Sequence, residues 1–328
     1  MIRSSWGRHA ACAIAYALAD AGEVSYAATA DYPTKPVRII VAQPAGGNAD
    51  LVSRSFAQRL GERFGVQFVV DNRGGGGGII GTELAVHALP DGYTLLIVPT
   101  ALGTNPALIK NLPFDVRRDL APISQLTAGP NIIVVATSSA LRNVSDIIAA
   151  ARAQPGKLNF ASSGMANATH MSGELFMHMA RVKILHVPYK GSPASMVAVA
   201  SGETELAFAG MAGALPLVRA GKLRAIAVTS ANRWQTLPEI PTVAEAGVPG
   251  YDSSNWYAML APARTNAKLL HLLYSEIAAI AKSQDMRTRL IPEGQEPLGT
   301  TPKELDAHIA REIAKWTELA RAAGLQAQ

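Results

Sequence analysis

The chain reads as an α/β protein of two lobes, each a mostly parallel sheet flanked by helices, and two observations carry that expectation. Short apolar runs alternate with amphipathic stretches almost throughout, the rhythm of βαβ units with right-handed crossovers. The rhythm runs through one half of the chain and then repeats in the other, with no low-complexity linker between them. A length of 328 residues, 48% of them hydrophobic and 17% charged, is enough for about two domains and excludes a disordered chain.

In the first half, Val37 to Ala42 is strand-like, and Ala49 to Leu60 carries Leu51, Val52, Phe56 and Leu60 near helical spacing. Gln67 to Val70 is the next strand. The glycine run Gly74 to Gly78 reads as a mobile loop leading into a helix around Thr82 to His87. Pro90-Asp91-Gly92 marks a turn before the strand Thr94 to Val98. In the second half, the strands are Asn131 to Ala136, Leu158 to Ala161, Ile184 to Val187, Glu205 to Phe208 and Leu223 to Val228. A helix spans Val144 to Gln154, and others start near Asn167, Ser192 and Gly213. Near the C-terminus Leu305, Ile309, Ile313, Trp316 and Leu319 recur at helical spacing, one apolar stripe that must be covered.

Residues 1–30 read as a cleaved export signal. Arg3 and Arg8 give a positive start, Ala10 to Ala19 is a short apolar stretch, and Ala28-Thr29-Ala30 is a cleavage site before Asp31. The apolar stretch is about ten residues, where a membrane span needs about 20. The single cysteine, Cys12, falls inside this leader, so the mature chain has no disulfide framework and no cysteine metal site. The expected location is the periplasm. The formal charge of +5 is mild and scattered, which argues against nucleic acid and suits a small anion.

Two loops carry candidate chemistry. Gln43-Pro44-Ala45-Gly46-Gly47-Asn48-Ala49-Asp50 joins a strand to a helix, where glycines let backbone N–H groups approach an anion at the helix N-terminus. The same residues serve equally as an ordinary turn capped by Asn48 or Asp50. Ala161-Ser162-Ser163-Gly164 leads into a helix carrying Asn167, Thr169 and His170, either a second anion cradle or a plain hydroxyl-capped turn. His170, Glu174 and His178 share one helix face, but no further ligand cluster accompanies them, so core or surface histidines are expected and no metal. Tyr189-Lys190-Gly191 after Val187-Pro188 can supply a phenol or an ammonium, with a structured turn as the expected role. There is no Gly-x-Ser-x-Gly elbow and no cysteine nucleophile, so a binding protein without cofactor is expected rather than an enzyme.

The order of these pieces resembles the periplasmic receptors of tripartite tricarboxylate transporters, the Bug or TctC family. The resemblance rests on Pro44-Ala45-Gly46-Gly47 with Asp50, Asn72-Arg73 with the glycine run, Asp91-Gly92-Tyr93-Thr94, and Asn105-Pro106. It continues through His186-Val187-Pro188-Tyr189-Lys190-Gly191, Ala220-Gly221-Lys222-Leu223-Arg224-Ala225 and Pro241-Thr242-Val243-Ala244-Glu245-Ala246-Gly247. It implies a Venus-flytrap, type II periplasmic-binding fold, with one lobe from 31–130 plus 255–328 and the other from 131–254. It also implies a small carboxylate in the cleft, delivered by a monomeric receptor to membrane permease subunits. Carried over by position, the ligand contacts would be Gln43, Pro44, Gly46, Gly47, Asn48, Ala49, Asp50 and Thr104 from the first lobe. From the second they would be Ser162, Ser163, Asn167 and His170. Ala209 stands where the family often has an aspartate, which argues against an amino-acid ligand, and glycine- and alanine-rich substitutions widen the cleft enough to admit an aromatic acid or dicarboxylate. A ligand sensor acting on a membrane partner uses the same cleft, and a cleft hydrolase or transferase is the alternative from another class.

Overall fold

Val37–Val41 forms strand β1, whose Val37, Ile39, Ile40 and Val41 are fully buried on both faces while Arg38 pairs with Asp71 at the edge of that burial. The computed structural model describes residues 32–325, so the expected export signal lies outside the described residues. After β1 come helix α1 (Asn48–Phe64), strand β2 (Phe68–Asn72), helix α2 (Ile79–Val86), strand β3 (Thr94–Pro99) and helix α3 (Ala101–Leu108). A long strand, β4 (Leu120–Ala136), leads to α4 (Val144–Ala153), β5 (Asn159–Ser162), α5 (Ala168–Ala180) and β6 (Leu185–Pro188). The chain continues through α6 (Ser192–Ser201), β7 (Leu206–Gly210), α7 (Met211–Arg219) and β8 (Leu223–Val228). It returns by β9 (Ser254–Pro262) and closes with α8 (Ala267–Ala281), α9 (Gln284–Leu290), β10 (Glu296–Pro297) and α10 (Pro302–Ala323).

The strands lie in the order β2-β1-β3-β9-β4-β7-β5-β6, with β8 and β10 also paired to β4. Residues Leu120–Pro130 of β4 pair antiparallel with β9, and residues Asn131–Ala136 pair antiparallel with β7 and β8. One strand thus belongs to two sheets. The parallel pairings are β1 with β2 and β3, and β5 with β6 and β7. Each sheet is therefore mixed rather than mostly parallel. Parallel pairing needs a covering crossover, which the outer strands have, whereas β4 spans both sheets and β4 and β9 run antiparallel to their neighbours.

The two faces of the second sheet are covered independently. Ile133 and Val135 join Phe160, Phe176 and Phe208 on one side, while Ile132 and Val134 join Ala207, Met211 and Leu223 on the other. Period-two alternation with apolar residues at every position is what a doubly covered strand requires. The α10 stripe is covered in two stages. Leu305 and Ile309 pack with Leu102 and Trp256, and Trp316 and Leu319 pack with Leu108, Ala166 and Met171. Thr301 and Glu304 form a reciprocal capping box that starts the helix.

The glycine run, expected as a mobile loop, contains a short 3-10 turn at Gly76–Gly78. A methyl group added at Gly74 would lie 2.6 Å from the Pro44 ring, so the run packs directly beneath the first candidate loop. For the α10 stripe, Leu305→Ala is expected to lower the free energy of unfolding by about 2–5 kcal/mol in denaturant titration. The exposed Glu318→Ala should stay within about 0.5 kcal/mol of the parent.

Candidate ligand-binding site

A cavity of about 130 Å3 opens where the carboxyl ends of β1, β5, β6 and β7 meet, the usual ligand position in open α/β sheets. The loop after β1 contributes Gln43, Pro44, Ala45, Gly47 and Asn48, and the segment after β5 contributes Ser163, Asn167, Ala168 and Thr169. Lys190 to Pro193 line it from the turn after β6, Gly210 from the end of β7, and Asn255 and Tyr257 from the start of β9.

Three helices begin at this cavity without a side-chain cap: α1 after Gly47, α6 after Gly191 and α7 after Gly210. Away from the cavity α2 and α3 also start without a side-chain cap, whereas α4, α8, α9 and α10 are capped by Asn143, Asn266, Ser283 and Thr301. Uncapped first turns leave N–H donors available, and each helix end carries roughly half a positive charge. The Asn48 amide Nδ2 and the Ser192 hydroxyl are buried there with no hydrogen-bond partner. Lys190 is the single charged residue of the lining. The arrangement can receive an anion mostly through neutral donors.

The expected site residues divide into two groups. Gln43, Pro44, Gly47, Asn48, Ser163 and Asn167 come together on the cavity. Gly46, Ala49, Asp50, Thr104, Ser162, His170 and Ala209 stand outside its lining. The Gly46 N–H is taken up by Asp50 Oδ2 at 3.2 Å, and Asp50 also pairs with Arg54 at 3.0 Å. Partial burial alone would raise the Asp50 carboxyl, but Arg54 and the Gly46 N–H outweigh it and hold the group below the usual carboxylate range. Ala49 and Ala209 are buried among apolar neighbours, and it is Gly210 that reaches the cavity. Thr104 donates its hydroxyl to the Ala166 carbonyl.

Asn167 caps α5 through Oδ1, which accepts from the Thr169 and His170 N–H groups, and its Nδ2 donates to Ser163 Oγ at 2.9 Å. The first turn of α5 is thus self-capped and fixes the Ser163 hydroxyl. Ser162 lies behind it, fully buried, donating to the Gly164 carbonyl at 3.0 Å and meeting His186 Nε2 at 2.6 Å. His186 is sandwiched between Phe160 and His170, with ring centroids 4.8 and 4.0 Å away. Burial, and then the neighbouring His170, pull the His186 imidazole down from the usual 6.5 to about 3. His170 also meets Glu174 at 3.3 Å, and among the described residues no group of three His, Cys, Asp or Glu side chains could hold a metal.

Lys190, Gly191, Ser192, Gly210, Asn255 and Tyr257 were not read as site residues. Gly-Ser-Pro at 191–193 is a helix-start signal with proline in the first turn, and it could have marked α6 as a third anion-facing terminus. Asn255 and Tyr257 carried no local signal, because their place depends on β9 pairing with distant strands.

The family model of the tripartite tricarboxylate transporter family receptor, TctC, matches residues 52–325. The chain belongs to the TctC family. Protein BugT of Bordetella pertussis is 33% identical over 311 residues, covering 94% of this chain and 95% of that protein. R. palustris Rpa4515, solved with adipate, is 35% identical with a TM-score of 0.87, covering 91% of this chain and all of that one. The periplasmic binding protein BugD is 30% identical with a TM-score of 0.84 over 90% of this chain and 100% of that one. The architecture is accordingly the two-lobed periplasmic-binding fold of TctC receptors, and no helix among the described residues is long and apolar enough to cross a membrane.

A buried neutral histidine makes TctC-fold stability depend on pH. Between about 3 and 6.5 the unfolded chain binds a proton at His186 that the folded chain refuses. This contribution is complete above pH 6.5 and is lost as pH falls toward 3. Thermal melts should show His186→Gln with a shallower loss across that window than the parent.

Proposed function

We propose that this chain is an exported receptor that captures a small dicarboxylate between two lobes, 31–130 with 255–328 and 131–254, and hands it to a membrane permease. The export signal expected in residues 1–30 and the kinship with periplasmic binding proteins support the location. The carrying observation is the convergence of three uncapped helix N-termini with Lys190 as the single charged lining residue. Three helix ends at roughly half a charge each, plus one ammonium, roughly offset two carboxylates. A monocarboxylate would leave positive charge uncompensated. No acidic residue lines the cavity to meet an amino group, which disfavours amino acids. Adipate, the ligand solved with Rpa4515, has this chemistry.

Within this reading, backbone N–H groups after Gly47 and Gly191, the Asn48 amide and the Ser163 and Ser192 hydroxyls hold one carboxylate or the other, and Lys190 balances the second. Closure of the lobes strips water from the acid, so several donors must replace it. Binding without turnover fits the chemistry present. The one serine–histidine contact near the cavity, Ser162 with His186, involves a fully buried hydroxyl outside the lining and an imidazole too weakly basic to activate it.

Calorimetry with adipate and with hexanoate, its monocarboxylate counterpart, tests the reading. Adipate should bind and hexanoate should bind far more weakly. Lys190→Met should cost adipate about 1.5–3 kcal/mol, the range for hydrogen bonds to charged groups, and change hexanoate little. Failure of a dicarboxylate series of varied length to bind or to raise the melting temperature would overturn it. A Cβ added at Gly47 stands in open space with no protein atom within 4 Å, so Gly47→Val should fold normally yet lose binding by occupying the cavity mouth.

A further inference from the structure

Ala166 is held in a left-handed conformation, φ 58°, and is one of two non-glycine residues with positive φ among those described. An alanine there is strained, and such a conformation persists only when the surroundings hold it. Both ends of this residue are gripped. Its N–H donates to His170 Nδ1 at 3.1 Å, on the helix α5 that follows it, and its carbonyl accepts from the Thr104 hydroxyl, which belongs to α3 beside the first sheet. Its methyl group is buried with Leu108 of α3 and Trp316 and Leu319 of α10. The glycine run closes the ring, because Asn105 Nδ2 donates to the Gly77 carbonyl and a methyl group on Gly77 would lie 3.5 Å from the Met165 carbonyl. Ala166 is the tip of the same loop that presents Ser163 and Asn167 to the cavity.

We infer that Thr104 and His170 are positioning residues that clamp the two ends of Ala166, docking the ligand loop of the second sheet onto α3 of the first and slowing release of the bound acid. Neither residue touches the cavity, so each acts through the loop. His170 serves as the acceptor with Nδ1, and its stack on His186 prevents the ring from turning away. Thr104 supplies the tie that crosses between the two sheets. Strain at Ala166 makes the arrangement two-state: with the tie broken, the residue relaxes and the Ser163 and Asn167 donors leave their places together. The effect on ligand release rests on the dicarboxylate reading above, whereas the clamp itself does not.

The test has a ligand-free arm and a ligand arm. In hydrogen exchange of the ligand-free protein, Thr104→Val should speed exchange of the Ala166 amide and its loop neighbours about tenfold or more, with amides of β4 and α10 unchanged. Thr104→Ser should restore the parent pattern. His170→Phe keeps the ring stack but loses the acceptor and should behave as Thr104→Val. His170→Asn loses the Glu174 contact equally but keeps an acceptor, so it should stay near the parent and separates the clamp from that contact. In stopped-flow measurements with adipate, Thr104→Val should dissociate about tenfold faster with association unchanged. Parent-like exchange at Ala166 in Thr104→Val, or a uniform rise across the whole chain, overturns the clamp. If the parent protein binds no dicarboxylate, the ligand reading fails, and the exchange arm still decides whether Thr104 and His170 hold Ala166.

Discussion

The antiparallel pairing of β4 with β9 is the constraint on which the site depends. Registered from Leu120 with Pro262 to Pro130 with Ser254, the pair carries the chain out of the first sheet, and β4 then continues into the second without a break. Parallel strands joined by covering helices present all their carboxyl ends on one edge. Two such sets, tied through one shared strand, bring the ends of β1, β5, β6 and β7 together at the cavity, and the helices that follow these four strands begin there. Asn255 and Tyr257 stand on β9 at this junction, where Asn255 Nδ2 donates to the Tyr257 hydroxyl at 3.0 Å. Burial drives the Tyr257 phenol well above its ordinary range, so it remains a neutral wall.

Among the described residues, three of the five helices that lack a side-chain cap begin at the site. A side-chain cap contributes about 1 kcal/mol, and this protein places one at α4, α5, α8, α9 and α10. At α1, α6 and α7 glycine stands in the capping position instead. A serine or aspartate there would satisfy the first-turn N–H groups from within and leave nothing for a ligand. Neutral donors also hold an anion less tightly than a bidentate arginine pair would.

Most strands were legible because burial on both faces leaves an uninterrupted apolar run, as in Asn131 to Ala136. The first part of β4 was not, since Pro122, Gly129 and Pro130 break the strand pattern and only pairing with β9 overrides them. Helix α3, with Pro106 inside it, was missed for a similar reason. The loops at Gln43–Asp50 and Ser162–Asn167 were visible as glycine and hydroxyl turns between strand and helix. Which of their residues face the cavity was not visible, because that is decided by partners such as Arg54 for Asp50 and Thr104 for Ala166. Lys190 looked like part of an ordinary turn, and its significance appears only when the rest of the lining proves uncharged.

The underside of the ligand loop explains the glycine in the middle of α5. Phe160, His186 and His170 form a continuous stack beneath Ser162, and a methyl group at Gly173 would lie 2.4 Å from the Phe160 ring. A mid-helix glycine costs roughly 1 kcal/mol relative to alanine. Here it lets Phe160 press against α5, Phe160 supports His186, and His186 keeps both the Ser162 hydroxyl and the His170 ring in place. His170 in turn holds the Ala166 N–H, and from Ala166 the tie passes through Thr104 to α3. A single chain of contacts thus runs from the core of one sheet, under the ligand loop, to a helix of the other, and the donors that face the cavity are its surface.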